Sequence, residues 1–309
     1  IMSGIKYTTD GVQERGVTSG YHSTARLGFN DHSKGAKNSD IAQLTKKDKA
    51  NLLSVIDGYA SQFTIGMEVE KSQMYRGAVK QYALFAGFER DSSCGYEAVT
   101  HILPLIPKGV WRNKVYSMMH DAKKVIEDAY SPSDYRCGGH ITVAVDGLDG
   151  DDIRKAVRKN MGVVYALFRK RLGNSYCNGN LLMTDSGSGR YQSVLVKRNV
   201  LEFRLVSRFQ SVKQMMRRYE LIYELLNFSI NNPNGSHNAF LKKVTPIIKS
   251  MYGGDMEKVA TIIDLAKGFR KYMISGKVNR KVIDFVDPMR RLNADVSYDR
   301  DLLTNGYRE

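Results

Sequence analysis

Apolar and polar residues alternate strictly in the segment FTIGMEVE, residues 63–70. Successive side chains of a β-strand point to opposite faces, so the pattern predicts a strand with one buried face and one polar face. The polar face carries Glu68 and Glu70, and like charges so close together repel each other. Either water solvates this face or a positively charged group lies on it.

The same alternation recurs in later segments, which the pattern predicts to be strands of a sheet. The predicted strands are QYALFAGFERD (81–91), GYEAVTHILPL (95–105), GGHITVAVDG (138–147) and the pair YQSVLVKRNVLEFRLVS (191–207). Each has an apolar side, and in the later ones the second side carries isolated polar groups: His140 with Thr142, and Glu202 with Arg204. Asp91 and Glu97 flank a turn between two of these segments.

Helical spacing of apolar residues predicts helices between and after the strands. The predicted helices cover 111–130, 151–173, 211–230 and the regions near 238–250 and 255–275. In the second of these, Asp151 or Asp152 is expected to cap the start and Gly173 the end. We therefore expect an α+β protein in which an antiparallel sheet carries the active face and helices pack behind it. The expected organisation is a polar arm with a short helix (1–60), a catalytic domain (61–230) and a basic helical C-terminal region (231–309).

Charge is distributed unevenly along the 309 residues, whose net charge is +15. Residues 151–309 carry 29 Lys and Arg against 15 Asp and Glu, so nearly all of the excess lies in the second half. Such a balance is explained either by solvated helix faces or by an anionic partner such as nucleic acid, nucleotide or phosphate.

Three features bear on the compartment. The chain has no run of about 18 apolar residues that would predict a membrane span, and the first ten residues, IMSGIKYTTD, lack a secretory signal pattern. The three cysteines lack CxxC spacing, which disfavours a zinc site or a disulfide framework and fits a reducing environment. We expect a cytoplasmic protein that does not span a membrane.

A shared sheet would bring the ionisable groups of its polar face together. Carboxylates and an imidazole form a hard-ligand site suited to Mg²⁺ or Mn²⁺, and a nucleotide triphosphate can bridge two such ions. The candidate ligands are Glu68, Glu70, Glu97, His140 and Glu202. A Glu-x-Glu strand is also common as a solvated face, so the metal site is a hypothesis based on the joint pattern.

The order of the motifs supplies a second line of inference. IGMEVE, RDSSCGYEAVTHILPL, CGGH, NSYCN, RYQSVLV and LEFRL follow one another over about residues 62–228. Together they resemble the amidoligase family of carboxylate–amine ligases, whose fold is similar to that of glutamine synthetase. The resemblance implies an ATP- and Mg²⁺-dependent enzyme that joins a small-molecule or peptide carboxylate to an amine.

Residue roles follow from the same resemblance. It implies one metal held by Glu68, His140 and Glu202 and another held by Glu70 and Glu97. Arg204 and Arg190 would contact phosphate or the activated carboxylate, and Asp91 would shape the site or hold the amine.

Two departures from the family pattern stand in the sequence. Thr142 occupies the position of the family's frequent second histidine, and DSS replaces the usual D-G-S. Two other functions fit parts of the sequence: a nucleic-acid enzyme of primase–polymerase type, which would use the basic half, and a non-catalytic binding or virion-associated protein. Because no aromatic set is interleaved with the basic helix at 151–173, we expect any nucleic-acid binding to be weak and sequence-independent.

Overall fold

A computed structural model describes residues 18–19, 63–82, 84–91, 94–100, 103–127, 136–145, 147–174, 177–178, 192–197 and 200–275. The short helix predicted within 1–60 and the last 34 residues lie outside the described residues, as does Arg190.

The fold is α+β, with one large sheet that is mostly antiparallel. Its strands are β1 (Thr18–Ser19), β2 (Phe63–Lys71), β3 (Phe85–Asp91), β4 (Gly95–Thr100), β5 (Leu103–Pro104), β6 (Ile141–Val145), β9 (Val194–Lys197) and β10 (Val200–Phe203). A separate two-stranded sheet joins β7 (Gly173–Asn174) to β8 (Cys177–Asn178). The order in the large sheet is β1-β3-β4-β2-β6-β10-β9, and β5 also pairs with β2. Strand β2 therefore lies at the centre, although it comes early in the chain.

The strand predicted over 95–105 is described in two parts, because residues 101–102 lie outside the described residues. Its two parts, β4 and β5, both run along β2, but the register shifts by one residue: Glu68 faces Val99, whereas Ile65 faces Leu103. A one-residue shift of this kind bends a strand and interrupts its ladder. Pro104 has no backbone N–H to donate, but Leu105 after it still donates its backbone N–H to the carbonyl of Phe63 at 2.9 Å.

Helices cover the apolar side of the sheet. They are α1 (Arg76–Lys80), α2 (Gly109–Asp121), α3 (Lys123–Glu127), α4 (Gly150–Val157), α5 (Gly162–Leu167), α6 (Val212–Asn231), α7 (His237–Met251) and α8 (Met256–Ser275). The helices predicted at 211–230, 238–250 and 255–275 are confirmed as α6, α7 and α8. The one predicted at 111–130 is broken at Ala122 into α2 and α3, and residues 128–130 lie outside the described residues.

The single helix predicted over 151–173 is also wrong. Helix α4 gives way to a 3-10 turn at Arg158–Asn160, and α5 is followed by another 3-10 turn at Arg169–Leu172. The cap is Asp149, whose carboxylate accepts a hydrogen bond from the backbone N–H of Asp152 at 2.9 Å, rather than Asp151 or Asp152 themselves. Tertiary packing against α8 overrides the local helical periodicity here.

The core lies between the apolar face of the sheet and the helices. The alternating side chains Ile65, Met67 and Val69 are fully buried together with Leu201 and Phe203. From the helices, the core includes Ile153, Val157, Met215, Tyr219 and Leu226. Among the described helices, none combines the length and the apolar character that crossing a membrane requires.

Candidate metal centre

The register of the sheet places the predicted acidic residues on one face. Partners in an antiparallel ladder share a face. Glu70 of β2 is paired with Glu97 of β4, and Glu202 of β10 is paired with Thr142 of β6. Thr142 in turn pairs with Gly66 on β2, two residues before Glu68. The face opposite the helices is therefore the one that carries the carboxylates.

His140 lies at the centre of this polar face. Its Nδ1 atom is 2.8 Å from Oε2 of Glu68, 3.1 Å from Oε1 of Glu70 and 3.7 Å from Oε1 of Glu202. Its backbone carbonyl accepts a hydrogen bond from the backbone N–H of Glu68 at 3.0 Å, which fixes the start of β6 against β2. The four residues are each no more than 6% exposed. The structure thus brings together four of the five predicted metal ligands around one ring nitrogen.

The two glycines of the CGGH motif make this arrangement possible. The backbone N–H of Gly138 donates to Oε2 of Glu70 at 2.5 Å. A Cβ atom on Gly138 would lie 2.8 Å from Nε2 of His140, so only glycine leaves room for the imidazole. A Cβ atom on Gly139 would lie 2.3 Å from the carbonyl oxygen of Ser207. Both glycines therefore let the backbone approach the site closely.

Two cationic side chains neutralise Glu202, which is 1% exposed. The guanidinium of Arg204 donates to Oε1 at 2.8 Å, and Nζ of Lys197 lies 2.5 Å from Oε2. Burial by itself raises the pKa of the Glu202 carboxyl, but Lys197 and Arg204 outweigh it and hold the pKa below its ordinary value. Burial likewise opposes the charge of Lys197, yet Glu202 and Glu68 raise its pKa. All three groups are therefore charged at neutral pH.

Sequence reasoning placed Arg204 beside the carboxylates and missed Lys197. The signal was present in the hairpin, because alternation along VLVKRNVLEF puts Lys197 opposite Val200 and on the same face as Glu202. A two-residue connection between β9 and β10 had to be assumed before that register could be read.

A third buried cation, Arg171, stands next to the site. It is 1% exposed and donates to the carbonyl of Cys137 at 3.1 Å. Burial raises the pKa of the neighbouring Cys177 thiol to about 11, against the opposing effect of Arg171 and Arg204. No alternation pattern marks Arg171, because it lies in a 3-10 turn rather than on a strand.

The remaining predicted site residues are Glu97, Asp91 and Arg190. Glu97 is buried and pairs with Glu70, but it is not among the carboxylates that contact His140. Asp91 ends β3 opposite Gly95, two strands away from β2, and its role stays a prediction. Arg190 lies outside the described residues.

The donor set fits a hard divalent cation. Ligand atoms of Glu68, His140 and Glu202 all lie within 4.8 Å of one another. Carboxylate oxygens with one imidazole nitrogen suit Mg²⁺ or Mn²⁺. On the same face, the hydroxyl of Thr142 is buried and has no hydrogen-bond partner within the described part of the chain, which is typical of an atom that faces a ligand or water.

No protein-family model, curated protein or solved structure matches the chain. The α+β architecture is described by the strands and helices themselves, whereas the glutamine synthetase-like fold and the amidoligase family stay predictions from the motifs.

Proposed function

We propose that the chain is an ATP-dependent carboxylate–amine ligase that forms an amide through an acyl phosphate. One observation carries this proposal: three buried carboxylates surround Nδ1 of His140, and Lys197 and Arg204 flank them. A buried carboxylate is unfavourable unless cations or protons compensate it. A cluster of this kind is suited to gathering metal ions and phosphate groups in one place.

Each residue has a role in the proposed reaction. Glu68, His140 and Glu202 would hold one metal ion, and Glu70 with Glu97 would hold a second. Bound Mg²⁺ or Mn²⁺ supplies positive charge that stabilises the transferred phosphoryl group, where most catalysis of such reactions lies. Arg204 would neutralise phosphate or the carboxylate undergoing activation.

The proposed reaction consists of two displacements, phosphoryl transfer followed by amide formation. An oxygen of the substrate carboxylate attacks the γ-phosphorus of ATP, and ADP leaves with the electron pair of the broken P–O bond. The amine nitrogen then attacks the acyl carbon of the acyl phosphate. Phosphate leaves and the nitrogen loses a proton, which gives the amide. The substrates are a small-molecule or peptide carboxylate and an amine.

A nucleic-acid enzyme of primase–polymerase type is the second candidate, and the +14 balance of residues 151–309 favours it. Such an enzyme must hold its template beside the metal ions. Lys155 and Lys159 instead border a cleft of about 570 Å³ next to α6. Helix α4 packs with Ile153 and Val157 in the core on the apolar side of the sheet. This placement of the two lysines supports the ligase over the polymerase. A non-catalytic binding or virion-associated protein is the third alternative.

The ligase is tested by trapping the acyl phosphate. The 309-residue chain is incubated with Mg²⁺, ATP and a panel of carboxylates, and hydroxylamine replaces the amine. We expect hydroxamate and ADP to form in equal amounts with at least one carboxylate. We expect Glu202→Gln to abolish both products, while Glu257→Gln, on the exposed start of α8, retains them. Nucleotide incorporation on a template without hydroxamate would instead support the polymerase.

A further inference from the structure

Both carboxylate oxygens of Glu202 form ion pairs with cationic side chains. Oε1 accepts from Arg204 at 2.8 Å and Oε2 lies 2.5 Å from Nζ of Lys197. Glu202 is also one of the three residues whose ligand atoms come within 4.8 Å of one another. A divalent cation that binds Glu202 must therefore share the carboxylate with these two cations, and like charges a few ångströms apart repel strongly in a buried site.

We propose that Lys197 is an exchangeable counter-ion of Glu202: it gives up the carboxylate when a divalent cation binds and turns to the phosphoryl oxygens of the nucleotide. This inference rests on the metal centre of the proposed function and assigns a positioning role to a residue outside the predicted ligand set. Its consequence is that metal and nucleotide bind cooperatively, because the metal releases the ammonium group that the nucleotide needs.

The structure favours Lys197 over Arg204 as the cation that moves. The side chain of Lys197 is 23% exposed, against 15% for Arg204 and 1% for Glu202. Lys197 ends β9, which is the edge strand of the sheet, and therefore has no neighbouring strand on its outer side among the described residues. A lysine carries a compact charge on a flexible stem, whereas the guanidinium group is planar and rigid.

The released ammonium would lie close to the phosphoryl group. Lys197 and Arg204 pair with the same carboxylate, so both would be within one side-chain length of an anion bound to a metal ion that Glu68, His140 and Glu202 hold. Ammonium groups bind phosphate as point charges and tolerate a range of directions. Removal of Lys197 should accordingly have opposite effects on the two ligands: metal alone binds more tightly, and nucleotide binds less tightly.

The first measurement is a titration with Mn²⁺ alone, followed by the electron paramagnetic resonance signal of the free ion. We expect Lys197→Met to bind Mn²⁺ about tenfold more tightly than the wild type, within the range typical of coupled sites. Lys249→Met, which removes an exposed lysine of α7, serves as the matched control and should bind as the wild type does. If Lys197 had only a structural role, its replacement would weaken Mn²⁺ binding. A gain in Mn²⁺ affinity therefore distinguishes an exchangeable counter-ion from a structural residue.

The second measurement is the rise in melting temperature caused by a non-hydrolysable ATP analogue with Mg²⁺. We expect a smaller rise for Lys197→Met than for the wild type. Lys197→Gln is tested in parallel, so that misfolding of one variant does not decide the result. Unchanged or weaker Mn²⁺ binding in a folded Lys197 variant would overturn the exchange.

Glu68→Gln separates this inference from the proposed function. If the wild type binds Mn²⁺, Glu68→Gln does not, and the Lys197 variants bind as the wild type does, the metal centre stands and the exchange alone is overturned. If the wild type itself binds no Mn²⁺, the metal centre fails and the exchange fails with it.

Discussion

The centre of the site is a contact between one imidazole and three carboxylates. Nδ1 of His140 lies within 3.7 Å of Glu68, Glu70 and Glu202. A single ring nitrogen cannot compensate three buried carboxylates, which is why additional cations are needed. Lys197 and Arg204 supply two of them at Glu202.

The first residue-scale prediction concerns Glu70. Mg²⁺ with ATP should raise the melting temperature, because a ligand that binds only the folded state stabilises it by mass action. Glu70→Gln should abolish this rise, since the amide is a poorer metal ligand. The amide oxygen can still accept the hydrogen bond from Gly138, so the variant should fold. Differential scanning fluorimetry measures the effect, and a rise equal to that of the wild type would remove Glu70 from the metal centre.

The second residue-scale prediction concerns His237, which begins α7 and is not part of the metal centre. Burial, together with Arg270 and Lys267, lowers the pKa of His237 to about 4. The folded state therefore leaves the ring neutral, while the unfolded chain protonates it near its ordinary value of about 6.5. This group makes the protein lose stability as the pH falls from about 6.5 to 4, and its effect is absent above that window.

Urea unfolding at a series of pH values tests this effect. Between pH 7 and 4, the free energy of unfolding of the wild type should fall by about 1–2 kcal/mol more than that of His237→Gln. This value is already reduced because the ring is partly exposed to solvent. Parallel stability curves for the two proteins would contradict the assignment.

At the scale of elements, the close contact of α5 with α8 depends on one glycine. A Cβ atom on Gly162 would lie 2.2 Å from the carbonyl oxygen of Ala266. Nearby, the rings of Tyr165 and Phe269 stack with their centroids 5.8 Å apart. The two helices can approach this closely only because residue 162 has no side chain.

Gly162→Ala should destabilise the protein by about 1–3 kcal/mol, since the added methyl forces the helices apart. Gly77→Ala in α1 is the matched control. A Cβ atom there meets nothing within 4 Å, and alanine is favoured over glycine inside a helix, so its stability should be unchanged or slightly higher. Chemical denaturation compares the two, and equal effects would contradict the close-contact explanation.

At the scale of the whole molecule, the sheet separates two chemically different sides. The carboxylates lie on one face. On the other side, α4 packs on the apolar core, and Lys155 and Lys159 border the cleft beside α6. Lys155 already forms an ion pair with Asp151 at 2.7 Å, so part of the positive charge is compensated within the protein.

We therefore expect weak, sequence-independent binding to single- and double-stranded oligonucleotides that falls steeply as salt increases, because the binding depends on the release of counter-ions from phosphates. The affinity should be the same for the wild type and Glu68→Gln, since Lys155 and Lys159 lie on the opposite side of the sheet from the carboxylates. Fluorescence anisotropy at several salt concentrations measures both. Tight binding at physiological salt, or a loss of binding in Glu68→Gln, would favour the polymerase alternative.

The sequence by itself determined which residues share a face. Alternation along β2 separated Met67 and Val69 from Glu68 and Glu70, because the side-chain period of a strand is a local property of the backbone. The same local rule placed Glu202 with Arg204. It also predicted α6, α7 and α8, whose apolar residues recur at helical spacing over many turns.

Only the tertiary structure decided how those faces meet. The order of the strands puts β2 between β4 and β6, and this order brings His140 to Glu68 and Glu202 across gaps of more than 60 residues in the chain. The break between α4 and α5 likewise lies directly before Gly162, where the chain packs closely on Ala266 of α8. Both depend on packing between distant segments, and local periodicity carries no information about which distant segments become neighbours.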